Sequence, residues 1–508
     1  MRRFGDIMIK IYDSEGRAKR DFETSGFGRV KMYVCGPTVY NYVHIGNART
    51  FMSFDVVRRY LQWRGFEVIY VSNITDVDDK IIARANEEGR SAAEVAAEYT
   101  EAFIEDMHAI NVLDPTIRPK ATQEIPEMIE LVETLIEKGY AYEVDGDVYF
   151  SVRALPAYGG LSGRNLDEME TGHRELRTEG IAARKRDPQD FAVWKAAKPG
   201  EPSWDSPWGQ GRPGWHLECT AMSKKYLGYP FDIHGGGCDL IFPHHENERA
   251  QAMAATGTEF ANYWMHAGML QVNSEKMSKS LGNFKLLRDV LKTVDPWNLR
   301  FLMLQTHYRS SLDFSEERLE EAAVAFARIK TTVKNARWAL ENASGDGLIL
   351  DEEQVKGLIR GFRFNFLVAM DDDFNTSKGL GAIFDYCSDV NSLLDGRSLG
   401  SADAALATQL IDILEEVMGV LGIDLERALE SDAAGSSEEY PAELVELARE
   451  IAGFEGGDGA EAANALIAAR AAARAEKNWA VADAVRDRMS ALGFVIEDTP
   501  QGARVSRA

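Results

Sequence analysis

The stretch from residue 29 to residue 71 alternates between two backbone periods, and this constrains the fold more than any other feature of the chain. Arg29-Val-Lys-Met-Tyr-Val-Cys35 has the period-two pattern of a strand, and a Gly-Pro loop follows it. Between Ala48 and Gly65, residues Phe51, Phe54, Val57, Leu61 and Trp63 recur among polar neighbours at roughly helical spacing, and Phe66-Glu-Val-Ile-Tyr-Val71 returns to a strand. Strand, helix, strand is the building block of a parallel α/β sheet, so the N-terminal part of the chain is expected to be built on one.

The rest of the 508 residues exceeds what one ordinary core organises; at about 150 residues per domain, two to four domains are expected. Residues 95 to 210 mix helical stretches such as Glu124 to Lys138 with a turn-rich, charged run from Tyr158 to Arg186, which reads as further helix plus an insertion. Sheet-like residues return at Phe231-Asp-Ile-His234, with three glycines next. From about residue 315 the pattern is helical almost throughout. Leu319, Ala322, Val324, Phe326, Ile329, Val333 and Trp338 mark an amphipathic helix, and such segments pack as a bundle. The Gly/Ser/Asp-rich stretches at 344–347 and 431–438 read as loops or a linker. An Ala-rich helix is expected from Ala462 to Leu492, stopped by Gly493 and followed by a short strand, Phe494-Val-Ile496, in a small terminal domain.

Composition narrows the class. Hydrophobic residues make up 45% and charged residues 27%, and no stretch approaches the roughly 18 apolar residues of a membrane span. Met-Arg-Arg-Phe-Gly-Asp at the N-terminus has no apolar segment behind its charges, so no secretory signal is expected. Cysteines 35, 219, 238 and 387 lie too far apart for a disulfide framework; in a reducing compartment they serve metal binding, catalysis or packing. A cytoplasmic protein is the resulting expectation. The net charge of -24 argues on its face against nucleic acid, but it is unevenly spread. Residues 341 to 460 hold 26 Asp+Glu against 7 Lys+Arg, residues 271 to 340 hold 12 Lys+Arg against 8 acids, and residues 461 to 508 hold 7 against 6. Phosphate contacts depend on local charge, so the balance neither demands nor excludes RNA.

Two segments have phosphate-handling chemistry. His44-Ile45-Gly46-Asn47 sits between the first strand and the helix beginning near Ala48, where free backbone N–H groups and the helix dipole favour an anion; read alone the signal is weak, and a surface histidine in a strand-to-helix loop is the simpler reading. Lys276-Met-Ser-Lys279-Ser-Leu-Gly-Asn283 carries two lysines and two hydroxyls, and a lysine that meets charge spreading over phosphate oxygens is a strong catalyst. Together, and in this order, they resemble the HIGH and KMSKS signatures of class I aminoacyl-tRNA synthetases on a Rossmann-type domain. Asn47 departs from the pattern, since asparagine donates a hydrogen bond but carries no charge. No G-x-G-x-x-G follows the first strand, which counts against a nicotinamide-dependent enzyme.

Five of the nine histidines fall between residues 216 and 266, together with two of the four cysteines. Pro243-His-His-Glu-Asn-Glu248 reads as a helix start that puts His244 and Glu248 on one face, and thiolates from Cys35 and Cys219 would complete a tetrahedral zinc shell. Buried cysteines beside an exposed acidic helix start remain the alternative. Cys35-Gly-Pro-Thr-Val-Tyr, Gly214-Trp-His-Leu-Glu-Cys219, Asn73-Ile-Thr-Asp-Val-Asp-Asp-Lys80 and the run from Phe231 to Glu248 are similar to signature segments of cysteinyl-tRNA synthetases, and the likeness covers essentially the whole chain.

That resemblance implies an α/β fold: a Rossmann-type parallel-sheet catalytic domain at 1–319 with an insertion at about 120–215, a helical bundle at 320–430 and a C-terminal anticodon-binding domain at 440–508. It implies one Zn2+ per chain on Cys35, Cys219, His244 and Glu248, with Cys238 and Cys387 as packed thiols. It implies ATP contacts from His44, Gly46, Asn47, Gly236, Asp239 and Lys279, catalysis by His44, Lys276 and Lys279, and a substrate pocket with Trp215 and Thr75. The anticodon would be read by Arg474, Trp479, Asp483 and Asp498, by stacking and edge hydrogen bonds. The implied partners are L-cysteine, ATP with Mg2+, and cysteine tRNA, with no membrane and a monomeric chain. Two other readings compete. A cysteine ligase with an amino-sugar acceptor would share the catalytic part but lack residues 440–508, and a non-catalytic zinc-containing RNA-binding protein would leave Lys276 to Ser280 without purpose.

Overall fold

The computed structural model describes residues 8–165, 184–277, 283–395, 397, 399–436, 440–499 and 502–507. The chain forms two compact units: Met1–Val324 with Asn365–Gly381 and Val420–Gly422, and Ala325–Phe364 with Ala382–Gly419 and Ile423–Ala508.

The first unit is organised by a four-stranded parallel sheet. We label its elements β1 (Arg29–Val34), α1 (Ile45–Trp63), β2 (Glu67–Val71), α2 (Trp215–Tyr226), β3 (Phe231–Gly237), α3 (Glu246–Thr256) and β4 (Ala261–Ala267). The order is β4-β3-β1-β2, with Met32 opposite both Tyr70 and Ile233. Met32, Tyr33 and Val34 are fully buried, as expected of a central parallel strand covered on both faces. From β1 the chain runs through α1 to β2 on one side, whereas β3 and β4 lie on the other. The strand order therefore reverses between β1 and β3, and in such sheets a crevice opens at the strands' carboxyl ends at this point. Cys35 comes directly after β1 there, its N–H donating to Gly235 O of β3 at 3.1 Å.

The expected helix near Glu124 to Lys138 is present as Ile125–Glu137, and it leads into a sheet that the sequence pattern did not reveal. Ala141–Val144, Asp147–Phe150, Phe191–Ala196 and Gly211–Pro213 pair antiparallel in chain order. Strands of three to six residues are too short to display alternation, and Gly211 and Pro213 read as loop residues. Of the run from Tyr158 to Arg186, residues 166–183 lie outside the described residues. Inside the first unit, Arg300 is fully buried against Asp55 and donates to Leu421 O at 2.9 Å and Ile110 O at 2.8 Å.

Beyond Ser315 the chain is helical, in Glu316–Glu341, Glu352–Asp371, Thr376–Leu394, Ala404–Val420 and Leu425–Ser436. The last of these corrects the expectation of a loop at 431–438, since the helix continues through Ser436. The second correction is in the terminal domain. The single helix expected over Ala462 to Leu492 is two, Gly459–Ala475 and Trp479–Ala491. Lys477 takes a positive φ of 60°, and the Asn478 side chain accepts from Val481 N and restarts the helix. The turn lets Leu466 of one helix and Val485 of the other share a core with Leu444, Met489 and Phe494. Gly493 stops the second helix with φ 84°, and the strand after it, Phe494–Thr499, pairs with Gly502–Arg507.

Candidate metal centre and nucleotide site

α1 begins three residues earlier than its apolar pattern suggested. His44 is its N-cap, in extended conformation, and its Nδ1 accepts from Asn47 N at 3.2 Å. The His44 to Asn47 segment is thus the cap and first turn of the helix, at the positive end of its dipole. A Cβ on Gly46 would fall 3.0 Å from His44 Nδ1 and 3.3 Å from Met277 Cε, so only glycine allows this approach without displacement. Lys276 lies on a short strand, Glu275–Lys276, paired with Leu270–Val272; Lys279 lies outside the described residues.

The three glycines after His234 are the end of β3, not a turn. A Cβ at Gly235 would fall 2.3 Å from the Phe54 ring of α1, and one at Gly236 would fall 2.9 Å from His245 Cε1. Their bareness is what allows α1 and the histidine segment to close on the strand. Asp239 comes next, in a short 3-10 turn.

Cys35, Cys219, His244 and Glu248 come together from four separate segments: the end of β1, helix α2, the turn before α3, and α3 itself. All four are buried, and their ligand atoms lie within 4.8 Å of one another. Cys35 Sγ is 3.4 Å from Glu248 Oε1, Cys219 Sγ is 3.8 Å from His244 Nε2, and His244 Nε2 is 2.7 Å from Glu248 Oε1. Tetrahedral zinc bonds of about 2.0–2.3 Å imply ligand-to-ligand edges of about 3.3–3.8 Å, so the donor set fits such an ion with small adjustments.

The surrounding side chains orient it. His244 Nδ1 lies 2.9 Å from His216 Nδ1, and its ring stacks on Trp215 with centroids 4.1 Å apart. Burial pulls the His244 imidazolium down, but the Glu248 carboxylate and Cys219 outweigh it and push it up to about 10. Glu248 is held well below the ordinary carboxylate range against its own burial by His244 and His234.

A second group that the sequence reading did not assign overlaps the first: Cys35 and Glu248 again, now with His234 and His245. Glu248 Oε2 is 2.7 Å from His234 Nε2, Cys35 Sγ is 3.3 Å from His245 Nε2, and His245 Nδ1 continues to His266 Nε2 at 2.8 Å. The crowding of histidines between 216 and 266 was the available signal, but only His244 was read from it.

Thr75 sits beside the turn after Cys35. Its N–H donates to Pro37 O at 3.0 Å and its hydroxyl to Glu218 Oε2 at 2.6 Å. Asn73 ties this corner to the cluster, accepting from Gly36 N at 2.9 Å and lying 3.6 Å from Cys219 Sγ; neither Asn73 nor Glu218 was singled out from sequence. Cys387 is buried and Cys238 partly so, and neither joins a donor group among the described residues.

In the second unit, Trp479 is 57% exposed as the first residue of its helix. Arg474 is exposed at the end of the preceding helix, and Asp483 is exposed one turn beyond Trp479, 3.5 Å from Arg486. Asp498 lies on the terminal hairpin, with its side chain outside the described residues.

Comparison with known proteins identifies the family. The catalytic-domain family of class I (C) tRNA synthetases matches residues 21–324, a DALR domain matches 365–426, and a cysteinyl-tRNA ligase anticodon binding domain matches 457–505. A curated cysteine–tRNA ligase of Heliobacterium modesticaldum is 47% identical over 511 residues, covering 99% of this chain and 100% of that protein. Another, of Pelotomaculum thermopropionicum, is 47% identical over 98% of this chain and 99% of its own. Among solved structures, the Mycobacterium tuberculosis methionyl-tRNA synthetase in complex with methionyl-adenylate has a TM-score of 0.58 at 15% identity, covering 79% of this chain and 92% of that one, which shows a shared fold. With a parallel-sheet catalytic unit and full-length relatives of one kind, the chain belongs to the cysteine–tRNA ligases of the class I aminoacyl-tRNA synthetases.

Proposed function

We propose that the chain activates L-cysteine with ATP, passes it to the 3′ end of cysteine tRNA, and uses one Zn2+ on Cys35, Cys219, His244 and Glu248 to select the substrate thiol. The observation that carries this reading is the convergence of those four buried side chains at the carboxyl edge of the sheet from which α1 departs. Zinc held there would supply a soft Lewis acid that prefers a thiolate to a hydroxyl, which would refuse serine without a separate editing site.

The chain's own residues do the rest. Trp215, stacked on His244, and Thr75, fixed by Glu218, would line the substrate pocket. The cysteine carboxylate attacks the α-phosphorus of ATP and pyrophosphate leaves, with Mg2+ accompanying the phosphates. His44, the first-turn N–H of Gly46, the Asn47 carboxamide, and the Lys276 and Lys279 ammonium groups stabilise the spreading charge, while Gly236 and Asp239 receive the adenosine. A terminal ribose hydroxyl of the tRNA then takes the acyl group and AMP leaves. Arg474, Trp479, Asp483 and Asp498 would read the anticodon. The same reading divides the chain into a catalytic domain at 1–319 with its insertion, a bundle at 320–430 and an anticodon-binding domain at 440–508. No helix among the described residues is long and apolar enough to cross a membrane, and we expect a cytoplasmic monomer.

Replacing Lys279 with alanine should lower cysteine-dependent ATP–pyrophosphate exchange by about 10²–10³-fold and leave bound zinc unchanged. Unchanged exchange would refute the role of that lysine, and equal charging with serine and cysteine would refute thiol selection by the metal.

A further inference from the structure

Arg49 lies on α1 one turn beyond His44, and it is 1% exposed. Among the described residues its guanidinium donates only to main-chain carbonyls: Nη1 to Gly268 O at 3.0 Å and Met269 O at 2.8 Å, and Nη2 to His307 O at 3.3 Å and to Ser310 O. Burial pulls it down to about 10, and no carboxylate pushes back; the neighbouring Cys238 thiol is itself raised by burial and so carries no charge. A buried guanidinium without a counter-charge is costly, and a position that only needed filling would take methionine or leucine. What it gains is geometry, because a planar fork can bind several carbonyls at once where an ammonium cannot.

The four carbonyls mark where two passes of the chain enter one small sheet. Gly268 and Met269 precede the strand Leu270–Val272, which pairs with the Lys276-bearing strand; His307 to Ser310 precede Leu312–Phe314 on the other side. The passes touch directly, with Gly268 N donating to Tyr308 O at 2.7 Å and Leu312 N to Met269 O at 3.0 Å. Downstream of the lysines the chain is fastened to the His44 segment again, by Leu287 N to Val43 O at 2.8 Å and Ile45 N to Lys285 O at 3.1 Å. The chain is therefore tied to the start of α1 on both sides of Lys276: by backbone bonds at Lys285 and Leu287, and by Arg49 at Gly268 and Met269, just before the strand Leu270–Val272 that packs on α1.

We propose that Arg49 is a positioning residue for adenylate formation, setting the place of the Lys276-bearing strand relative to His44 through its grip on the two chain passes. The proposal rests on the reading that Lys276 helps stabilise the phosphate charge. A misplacement of about 1 Å in such a constellation costs about 10²-fold in rate. The loss should fall on kcat and not on KM for ATP, because the misaligned group acts in the transition state.

Two variants test it in the zinc-loaded full chain. Arg49→Lys keeps the charge and loses the fork. Gly268→Ala leaves Arg49 intact but introduces a Cβ that would meet Ser310 O at 2.4 Å and Arg309 O at 2.6 Å, forcing apart the two passes that Arg49 spans. In each, kcat for ATP–pyrophosphate exchange should fall about 10²-fold, while single-turnover transfer from added cysteinyl-adenylate to tRNA and zinc stoichiometry stay at the level of the unmodified protein. A merely structural role would lower the active fraction, so that exchange and transfer fall together; that result, or an unchanged exchange rate, would overturn the proposal. Lys276→Ala runs alongside. Unchanged exchange there would overturn the underlying reading of Lys276, whereas a fall there with no selective fall in the other two variants would overturn the Arg49 proposal alone.

Discussion

Cys35 and Glu248 belong to both overlapping donor groups, so the deciding perturbation is at Cys219, which belongs to one. Cys219→Ser replaces a buried soft ligand by a hydroxyl of similar size, leaving Cys35, His244 and Glu248 in place. Zinc sites of this kind bind with about 10–16 kcal/mol, so one donor of four contributes about 3 kcal/mol, and the variant should hold metal about 10²-fold more weakly. Chelator competition on the purified protein measures that loss. Cobalt substitution adds a direct count: with two thiolates in the shell, the sulfur-to-cobalt charge-transfer band should fall by about half in the variant. Two structural facts favour the group containing Cys219. It offers two thiolates to a thiophilic ion, and its one histidine has its other nitrogen held, His244 Nδ1 by His216, whereas in the other group His245 Nδ1 is held by His266 but His234 Nδ1 has no hydrogen-bond partner among the described residues. Unchanged metal affinity with an unchanged band would refute the assignment and move the metal to His234 and His245.

Asp55→Asn should destabilise the first unit by about 3–5 kcal/mol by leaving buried Arg300 without its counter-charge, read as a lower urea midpoint at unchanged slope; a loss under about 1 kcal/mol would refute the importance of the pair. Asp79, which pairs with Lys195 and Arg212, is raised by burial but more strongly lowered by those two cations, to about 2. Its folded carboxyl thus titrates below the unfolded one. The contribution is present above about pH 4 and is lost as the pH falls toward about 2, so the difference in urea midpoint between the unmodified protein and Asp79→Asn should narrow from pH 7 to pH 3; a constant difference would refute the link. Trp479→Ala should cut kcat/KM for charging tRNA by about 10–100-fold, the worth of one base stack, with ATP–pyrophosphate exchange unaffected; full charging would remove Trp479 from the anticodon site.

The features legible in the sequence were local. The period of Arg29 to Val71 specified strand, helix and strand because backbone period and side-chain period are the same quantity, and the segments around Cys35, Cys219 and His244 carried their likeness in consecutive residues. Even here the boundaries moved where a side chain intervened. His44 capped α1 ahead of its apolar pattern, and Asn478 restarted a helix in the middle of an alanine-rich run whose propensity alone showed no reason to stop.

Sequence by itself therefore determined the kind of fold, the nucleotide motifs and the residue types available to a metal. Only the tertiary structure decided which of them meet. Strand β3 lies beside β1 although about 200 residues separate them, and that adjacency brings Cys35 to both His234 and His245, a meeting no spacing encodes. Arg49 makes the same point. In the sequence it is one more polar residue on an amphipathic helix, and its role depends on four carbonyl oxygens, groups every residue has and whose direction the folded backbone alone sets.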